Sequence, residues 1–202
     1  MDESYWLCDA EVHYTYSVLH SPTYRTKYEL NLKREFSRLP FYDHFHKWVG
    51  WGKQLMDLHI NYESVAPFGL KRIDILSTDV AKSCTDVAKS CTQVTELCRD
   101  VAVLRLYKAK LKPDRSKGMI FLDDTTTLEG IPKIAWEYRL GNRSALEWIL
   151  DQYKEKKPKD PTVAAKFNTY RFADYKEQVV DLLQRVCTVS VETMKIIGEM
   201  GG

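Results

Sequence analysis

The spacing of apolar residues changes twice along the chain, and this change limits the fold more than any single motif. In the first third, Val12, Tyr16 and Leu19 recur at helical spacing. Residues Val103–Lys112 instead alternate apolar with basic side chains, which is typical of a half-buried strand. Helical spacing returns from Asp174 to about Met200. We therefore predict an α+β fold, predominantly helical, with a small central β-sheet and a long C-terminal amphipathic helix.

Local signals place the helices of the first third. Ser21 precedes a proline, which predicts an N-cap followed by Pro22 at the first helical position, and this helix should run to about Phe36. A longer helix is expected from about Asp43 to Tyr62. It contains Gly50 and Gly52, each of which disfavours a helix, so they predict close packing or a kink.

Turn and cap residues divide the region after the first strand. Pro113-Asp114 predicts a turn, Met119–Leu122 a second short strand, and Asp123–Thr127 a polar turn. Ser144 and Glu147 have the spacing of a capping box at the start of a further helix. Within the expected helices, Leu58, His59, Tyr62 and Trp148 are interpreted as core residues.

A repeat of seven residues lies between the helical first third and the predicted sheet. Residues 78–84 read TDVAKSC, residues 85–91 repeat them, and two degenerate copies extend to residue 105. Valine and cysteine occupy the seam, so we predict a helix of about four heptads that packs on its own domain or on a second copy. The predicted organisation is a helical subdomain (1–70), a heptad-repeat helical insertion (71–104) and a part made of a small sheet plus helices (105–202), which together form one compact domain.

Composition excludes several classes of protein. The chain has 202 residues, of which 44% are hydrophobic and 29% charged, as in ordinary globular domains. No apolar run approaches the roughly 20 residues of a membrane span, and Met1–Ser4 lack the basic segment of a secretory signal. We therefore predict a cytoplasmic protein without a membrane partner, whose five cysteines are buried free thiols.

Catalytic signatures are missing from the sequence. It contains no phosphate-binding loop, dinucleotide fingerprint, nucleophile elbow or paired metal-ligand motif, so we predict no cofactor and no metal. One acidic cluster resembles that of a metal-dependent nuclease and comprises Asp123, Asp124, Glu129 and Lys133. A polar turn followed by a helix start explains the same residues, and we favour that interpretation.

Positive charge is concentrated in one stretch. Residues 105–173 contain 15 basic and 9 acidic residues, whereas the whole chain has a net charge of only +2. Such a stretch is typical of a surface that binds a polyanion. The candidate phosphate contacts lie on the first strand and its turn and are Arg105, Lys108, Lys110, Lys112, Arg115 and Lys117.

Two further groups complete the candidate DNA contacts. Arginine reads guanine and asparagine reads adenine through paired hydrogen bonds, which nominates a tight turn with Arg139, Asn142 and Arg143. A basic loop could line the duplex with Lys154, Lys156, Lys157, Lys159 and Arg171. For any one of these residues, a plain surface charge is the competing interpretation.

Six sequence blocks stand out in a fixed order along the chain and are VLHSPTYRTKY (18–28), LKRE (32–35), LPF (39–41), GKQLMDLHINYE (52–63), YRLGNRSALEWILDQY (138–153) and LQRVCTVSVETMKII (183–197). Taken together, they resemble the C-terminal specificity domain of Type ISP restriction-modification enzymes and related helicase–adenine methyltransferases. The heptad segment at 78–101 and the stretch 154–172 depart from the family pattern.

The resemblance implies a DNA-binding target-recognition domain. In the family, one polypeptide joins a nuclease, a helicase, an adenine methyltransferase and this domain. The chain would be non-catalytic on its own, and its expected partners are double-stranded DNA and the methyltransferase domain of the same or a companion polypeptide. The alternative is a protein–protein docking module without intrinsic DNA affinity, which an exposed apolar patch would favour.

Overall fold

The computed structural model describes residues 3–34, 37–74, 109–155 and 170–201, with side chains from residue 9 onward. It divides into two compact units. We call Met1–Ala66 with Thr188–Gly202 the helical unit, and Pro67–Cys187 the mixed unit. The heptad repeat lies outside the described residues, so the domain boundaries predicted from the sequence stay a prediction.

The described elements follow the predicted order of helices, sheet and helices. The helices are α1 (Glu3–His20), α2 (Pro22–Lys27), α3 (Glu29–Leu32), α4 (Phe45–Ile60), α5 (Lys133–Glu137), α6 (Ala145–Gln152) and α7 (Lys176–Met200), the last preceded by a 3₁₀ turn at Phe172–Tyr175. The strands are β1 (Lys71–Asp74), β2 (Ala109–Asp114), β3 (Met119–Asp123), β4 (Thr126–Glu129), β5 (Arg139–Leu140) and β6 (Arg143–Ser144). The predicted α+β fold with a long C-terminal helix is confirmed.

Close packing of α1 against α4 organises the helical unit. A Cβ atom added at Gly52 would lie 1.7 Å from the backbone oxygen of His13, whereas at Gly50 it would meet nothing within 4 Å. Only glycine at position 52 therefore allows the two helices to approach this closely, which confirms the close packing predicted there. A cluster of Tyr14, Val18 and Tyr24 fills the space beside this contact.

The helix predicted from Pro22 to about Phe36 is shorter than expected. Ser21 caps it, its hydroxyl accepting a hydrogen bond from the Tyr24 amide, and Pro22 opens it as predicted. However, Tyr28 has φ −111° and ψ 20°, which ends α2 before the separate turn of α3 begins. The sequence signal for the start was correct, and that for the length was wrong.

A four-stranded antiparallel sheet forms the centre of the mixed unit, in the order β1-β4-β3-β2. The polar turn predicted at Asp123–Thr127 is wrong over its second half, because Thr126 and Leu128 are fully buried in β4 between β1 and β3. The turn predicted at Pro113-Asp114 is also wrong. Both residues belong to β2, and the chain reverses after them, with Gly118 at φ +65°.

A buried ion pair joins the sheet to the start of α7. The Lys176 ammonium lies 2.7 Å from an Asp123 carboxylate oxygen, and both side chains are almost wholly buried. Further along α7, Val179, Leu183 and Cys187 are buried on its apolar stripe. Burial raises the pKa of the Cys187 thiol to about 12, which confirms the prediction of a buried free thiol for this cysteine.

Candidate nucleic-acid interface

A β-bulge in β2 sets the direction of the first basic side chains. The register between β2 and β3 shifts between Ala109 and Lys112, and Leu111 has φ +41°. Leu111 is buried, whereas Lys110 and Lys112 are exposed. The Lys110 ammonium lies 2.9 Å from Asp124, so part of its charge is already balanced. Lys112 makes no ion pair within the described part of the chain, and it presents its charge to solvent.

An open groove of about 410 Å³ in the mixed unit brings together four of the candidate DNA contacts. These four side chains come from the turn after β2, the β5–β6 turn and the end of α6, and they are Arg115, Asn142, Arg143 and Lys154. Leu111, Pro113 and Leu150 contribute its apolar lining. Glu147 and Asp151 complete the lining. Residues that are far apart in sequence thus form one groove with three cationic and two anionic side chains, which we call the basic groove.

Arg115 is fixed at the basic groove by Glu147. Its Nε donates to Glu147 Oε1 over 2.9 Å, and its Nη2 donates to both carboxylate oxygens over 2.6 Å. Glu147 also accepts from the Ser144 amide over 3.0 Å, and the Ser144 hydroxyl accepts from the Glu147 amide. The capping box predicted from the sequence is therefore confirmed, and its glutamate also anchors an arginine.

Electrostatics keeps Glu147 ionised. Burial raises the pKa of this carboxyl, but the hydrogen bonds from Arg115 and from the Ser144 amide more than offset that effect. The pKa of Glu147 consequently lies below its usual value. A carboxylate held in this way is a fixed negative charge that orients the guanidinium of Arg115.

Arg143 is paired with Asp151, which lies on α6 as Glu147 does. Its guanidinium lies 3.0 Å from Asp151 and 5.7 Å from the centre of the Trp148 ring. Trp148 donates its indole N–H to the Leu140 carbonyl over 2.8 Å, which ties α6 to the β5–β6 turn. Trp148 is 46% exposed, so its assignment to the core was wrong. Tyr62, likewise assigned to the core, is 36% exposed.

The β5–β6 turn places Asn142 at an exposed tip. Arg139 pairs with Ser144, and Leu140 pairs with Arg143, in a two-residue hairpin. Gly141 has φ +70°, a conformation in which a side chain is strained, and this explains why glycine precedes Asn142. The tight turn predicted at this point is confirmed.

The other candidate contacts are not among the residues that line the basic groove. Lys117, Arg139 and Arg171 are exposed elsewhere on the mixed unit. Lys110 and Lys112 are exposed on β2 and do not line the groove either. The remaining candidates lie outside the described residues and are Arg105, Lys108, Lys156, Lys157 and Lys159. Sequence analysis named Glu147 only as part of a capping box and did not name Asp151, so it missed both carboxylates as partners of the groove arginines. The signal for them was the four-residue spacing of Glu147 and Asp151, which places both on one face of α6.

The acidic cluster that resembles a nuclease is engaged in ion pairs. Asp123 is paired with Lys176 and accepts hydrogen bonds from the Thr125 and Thr126 amides, and Asp124 is paired with Lys110. Burial raises the pKa of Asp123, yet these interactions bring it below its usual value. No group of three metal-ligating side chains occurs in the described parts of the chain. Of the four cluster residues, Asp124 lies in the turn between β3 and β4, Asp123 ends β3, Glu129 ends β4 and Lys133 begins α5.

Residues 8–182 match the model of the Type ISP C-terminal specificity domain. The chain belongs to this family. The resemblance found in the sequence blocks is thus confirmed, and the basic groove lies inside the matched region.

Solved structures extend this relationship. The specificity domain is similar to part of the DrdV–DNA complex, with 51% identity and a TM-score of 0.78 over 95% of the chain. It is also similar to a nuclease-deletion mutant of the Type ISP enzyme LlaGI in complex with a DNA substrate mimic (30% identity, TM-score 0.64, 95% of the chain). A third match is the ATP-dependent Type ISP enzyme LlaBIII bound to DNA (26% identity, TM-score 0.63, 94% of the chain).

The specificity domain corresponds to a small part of each of these proteins. It spans 18% of the DrdV chain, 13% of the LlaGI chain and 11% of the LlaBIII chain. The comparison with curated proteins gave no match. In the described segments, none of the helices combines the length and apolar character that crossing a membrane requires.

Proposed function

We propose that the chain binds double-stranded DNA and serves as the target-recognition part of a restriction-modification enzyme in the cytoplasm. The basic groove carries this proposal, because it gathers arginine, lysine and asparagine side chains on one surface of the mixed unit. The solved relatives that are bound to DNA support it. In this proposal the chain positions DNA for an adenine methyltransferase and a helicase–nuclease located in the same or a companion polypeptide.

The proposed roles of the basic residues follow from their surroundings. Lys112, Lys117 and Lys154 are exposed and form no salt bridge within the described residues, so we assign them to phosphates. Lys110 has Asp124 as a partner and would contribute less to phosphate binding. The same phosphate role remains proposed for Arg105, Lys108, Lys156, Lys157, Lys159 and Arg171, and a base-reading role for Arg139, Asn142 and Arg143.

We also propose that the chain carries no catalytic chemistry of its own. The support is the engagement of both aspartates by lysine ammonium groups, at 2.7 Å for the buried Asp123 and at 2.9 Å for the exposed Asp124. An assay for DNA cleavage by the isolated chain with magnesium or manganese tests this. Cleavage that Asp124→Asn abolishes would contradict the proposal.

Binding to random duplexes over a series of salt concentrations tests the DNA-binding function. Each phosphate neutralised steepens the log–log slope by about 0.9. Lys112→Glu and Lys154→Glu should each weaken binding and make the slope shallower by about that amount. The matched control is Lys53→Glu, which reverses an exposed charge on the helical unit and should leave the slope unchanged. Absence of binding at low salt, or an equal effect of all three variants, would overturn the proposal.

A docking role is a second candidate function, and it rests on the loop before α4. Phe41 in this loop is 94% exposed. The backbone on both sides is fixed by one hydroxyl, because Tyr14 donates to the Pro40 carbonyl over 2.7 Å and accepts from the Tyr42 amide over 2.8 Å. Tyr24 adds a hydrogen bond to the Arg38 carbonyl. A rigid backbone that presents an apolar side chain is typical of an anchor for a protein pocket.

This docking role adds to DNA binding and does not replace it. We propose that Phe41 contacts the methyltransferase part of the same or a companion polypeptide. Sedimentation with the DrdV polypeptide from which the matching segment has been removed is a suitable test. Phe41→Ser should weaken the association, whereas Leu30→Ser, which replaces another exposed apolar residue of this unit, serves as the control. Equal association of both variants and the unmodified chain would contradict a role for Phe41.

A further inference from the structure

We propose that Arg115 reads a guanine base in the major groove of the DNA and that Glu147 is the positioning residue that holds it for this task. The inference rests on the proposed DNA-binding function. It assigns to Arg115 a role different from the phosphate contact that its position after a basic strand suggests.

The geometry of the ion pair leaves one edge of the guanidinium available. Arg115 uses Nε and Nη2 toward Glu147, and Nη1 takes part in none of its contacts with the described residues. The outer edge, formed by Nη1 and the second hydrogen of Nη2, therefore meets no hydrogen-bond acceptor within the described segments. That edge carries two parallel N–H donors, the arrangement that matches guanine O6 and N7.

Arg115 is more exposed than its partner Glu147, as an arginine that contacts a base must be. The Glu147 side chain is 17% exposed, whereas that of Arg115 is 45% exposed. The carboxylate is also fixed from behind by the Ser144 amide. Arg115 is thus anchored at its inner side and accessible at its outer edge, so little conformational freedom would be lost when it meets a base.

The charge balance argues against a phosphate contact. Arg115 and Glu147 together carry no net charge, so the pair would release few counterions from DNA. If Arg115 turned away toward a phosphate, Glu147 would lose three of the four side-chain hydrogen bonds that it accepts. A half-buried carboxylate would then be left poorly paired, which is unfavourable. Base reading keeps the ion pair intact.

Two substitutions test the positioning of Arg115 without disrupting the fold. Glu147→Gln removes the charge that orients Arg115 but keeps an acceptor for the Ser144 amide, since glutamine also serves in a capping box. Arg115→Lys keeps the positive charge and loses the two-donor edge. The matched control is Asp181→Asn, which removes one negative charge from an exposed i,i+4 pair with Arg185 elsewhere in the mixed unit.

The experiment begins with selection of duplexes from a random pool by the unmodified chain. The ratio of affinities for a selected and a scrambled duplex is then measured for each variant. We expect a conserved guanine in the selected sequences, and a roughly 10-fold lower ratio for both Glu147→Gln and Arg115→Lys. Glu147→Gln should at the same time strengthen binding to the scrambled duplex, because it frees a positive charge. Asp181→Asn should keep the ratio of the unmodified chain.

The outcomes distinguish this inference from the proposed function. If the unmodified chain binds no duplex at low salt, the proposed function fails and the inference fails with it. If the chain binds all duplexes equally, or if Glu147→Gln keeps the full ratio, DNA binding stands and the base-reading role of Arg115 is overturned. A lower ratio for Arg115→Lys with an unchanged ratio for Glu147→Gln would overturn the positioning role of Glu147.

Discussion

The helical unit and the mixed unit differ in the charge and the apolar character of their surfaces. Residues 1–66 and 188–202 contain 8 Lys and Arg against 11 Asp and Glu, whereas residues 67–187 contain 22 against 17. The helical unit exposes Val12, Leu30, Phe41 and Ile60. The mixed unit instead has the basic groove. The comparison teaches that a net charge of +2 conceals one unit with an excess of acidic residues and one unit with an excess of basic residues.

Their interiors differ as well. The helical unit contains a neutral polar network, in which the two ring nitrogens of His59 lie 2.7 Å from the Tyr16 hydroxyl and 2.8 Å from that of Thr193. The mixed unit buries the ion pair of Asp123 and Lys176. A neutral network and an ion pair respond differently to substitution and to pH. Four predictions use this contrast, from the largest expected effect to the smallest.

Asp123→Asn should destabilise the mixed unit by about 3–5 kcal/mol, because it leaves the Lys176 ammonium buried without a negative partner. Urea unfolding, with amide hydrogen exchange to locate the effect, measures this. Asp181→Asn is the control, since its ion pair is exposed and should change stability by about 0.5 kcal/mol or less. Similar losses of stability for both variants would contradict the claim that burial makes the Asp123–Lys176 pair costly to break.

Gly52→Ala should destabilise the helical unit by about 3 kcal/mol, because its Cβ would collide with the backbone of His13 and force α1 away from α4. Gly50→Ala occupies the same helix and meets no neighbouring atom, so it should stabilise this unit by about 0.5–1 kcal/mol. Thermal unfolding of both variants measures the difference. A loss of stability in Gly50→Ala would contradict the packing argument.

Acid should weaken the helical unit before the mixed unit. Burial and the neighbouring His20 lower the pKa of His59 to about 4, whereas an unfolded histidine has a pKa of about 6.5. The folded state favours the neutral ring, so its stabilisation is complete above pH 6.5 and declines as the pH falls toward 4. The loss should be on the order of 2 kcal/mol, since part of the ring faces water.

The mixed unit should keep its stability over that range of pH. The pKa values of Asp123 and Glu147 lie below their usual values, so their stabilising contribution is present above about pH 4 and is lost only as the pH falls further. Urea midpoints of the unmodified chain and of His59→Gln, measured at pH 7 and pH 5, test the contrast. A difference between the two pH values that persists in His59→Gln would assign the loss to another group.

Phe41→Ser should have the smallest effect on folding, within about 0.5 kcal/mol, because the side chain is almost wholly exposed. Thermal unfolding checks this. Tyr14→Phe is the informative counterpart, since it removes the hydroxyl that holds the loop at the Pro40 carbonyl and the Tyr42 amide. That variant should cost about 1–2 kcal/mol. A large loss in Phe41→Ser would show that Phe41 packs against the protein and does not serve as an anchor.

Local sequence was sufficient wherever neighbouring residues decide the conformation. Ser21 with Pro22 and Ser144 with Glu147 predicted two helix starts, because an N-cap is satisfied within one turn. The turn at Gly141 followed for the same reason, as glycine tolerates a positive φ. These predictions were correct because no distant residue is needed to form the two helix starts and the turn.

The features that were missed depend on distant partners. Thr126 and its neighbours look polar, yet they form a buried strand because β1 and β3 flank them on both sides. Trp148 looked like a core residue, and its exposure is decided by the Leu140 carbonyl and the stacked Arg143. No local pattern encodes these contacts.

The sequence by itself determined the α+β class, the concentration of positive charge and the membership of the specificity-domain family. Apolar periodicity, net charge and ordered blocks are all properties of the chain read along its length. Only the tertiary structure decided which charged side chains are paired within the protein and which are not. Arg115 and Glu147 are 32 residues apart in sequence, and the fold places them within 2.6 Å of each other. Charge is set by composition, but the pairing of charges is set by distances in space.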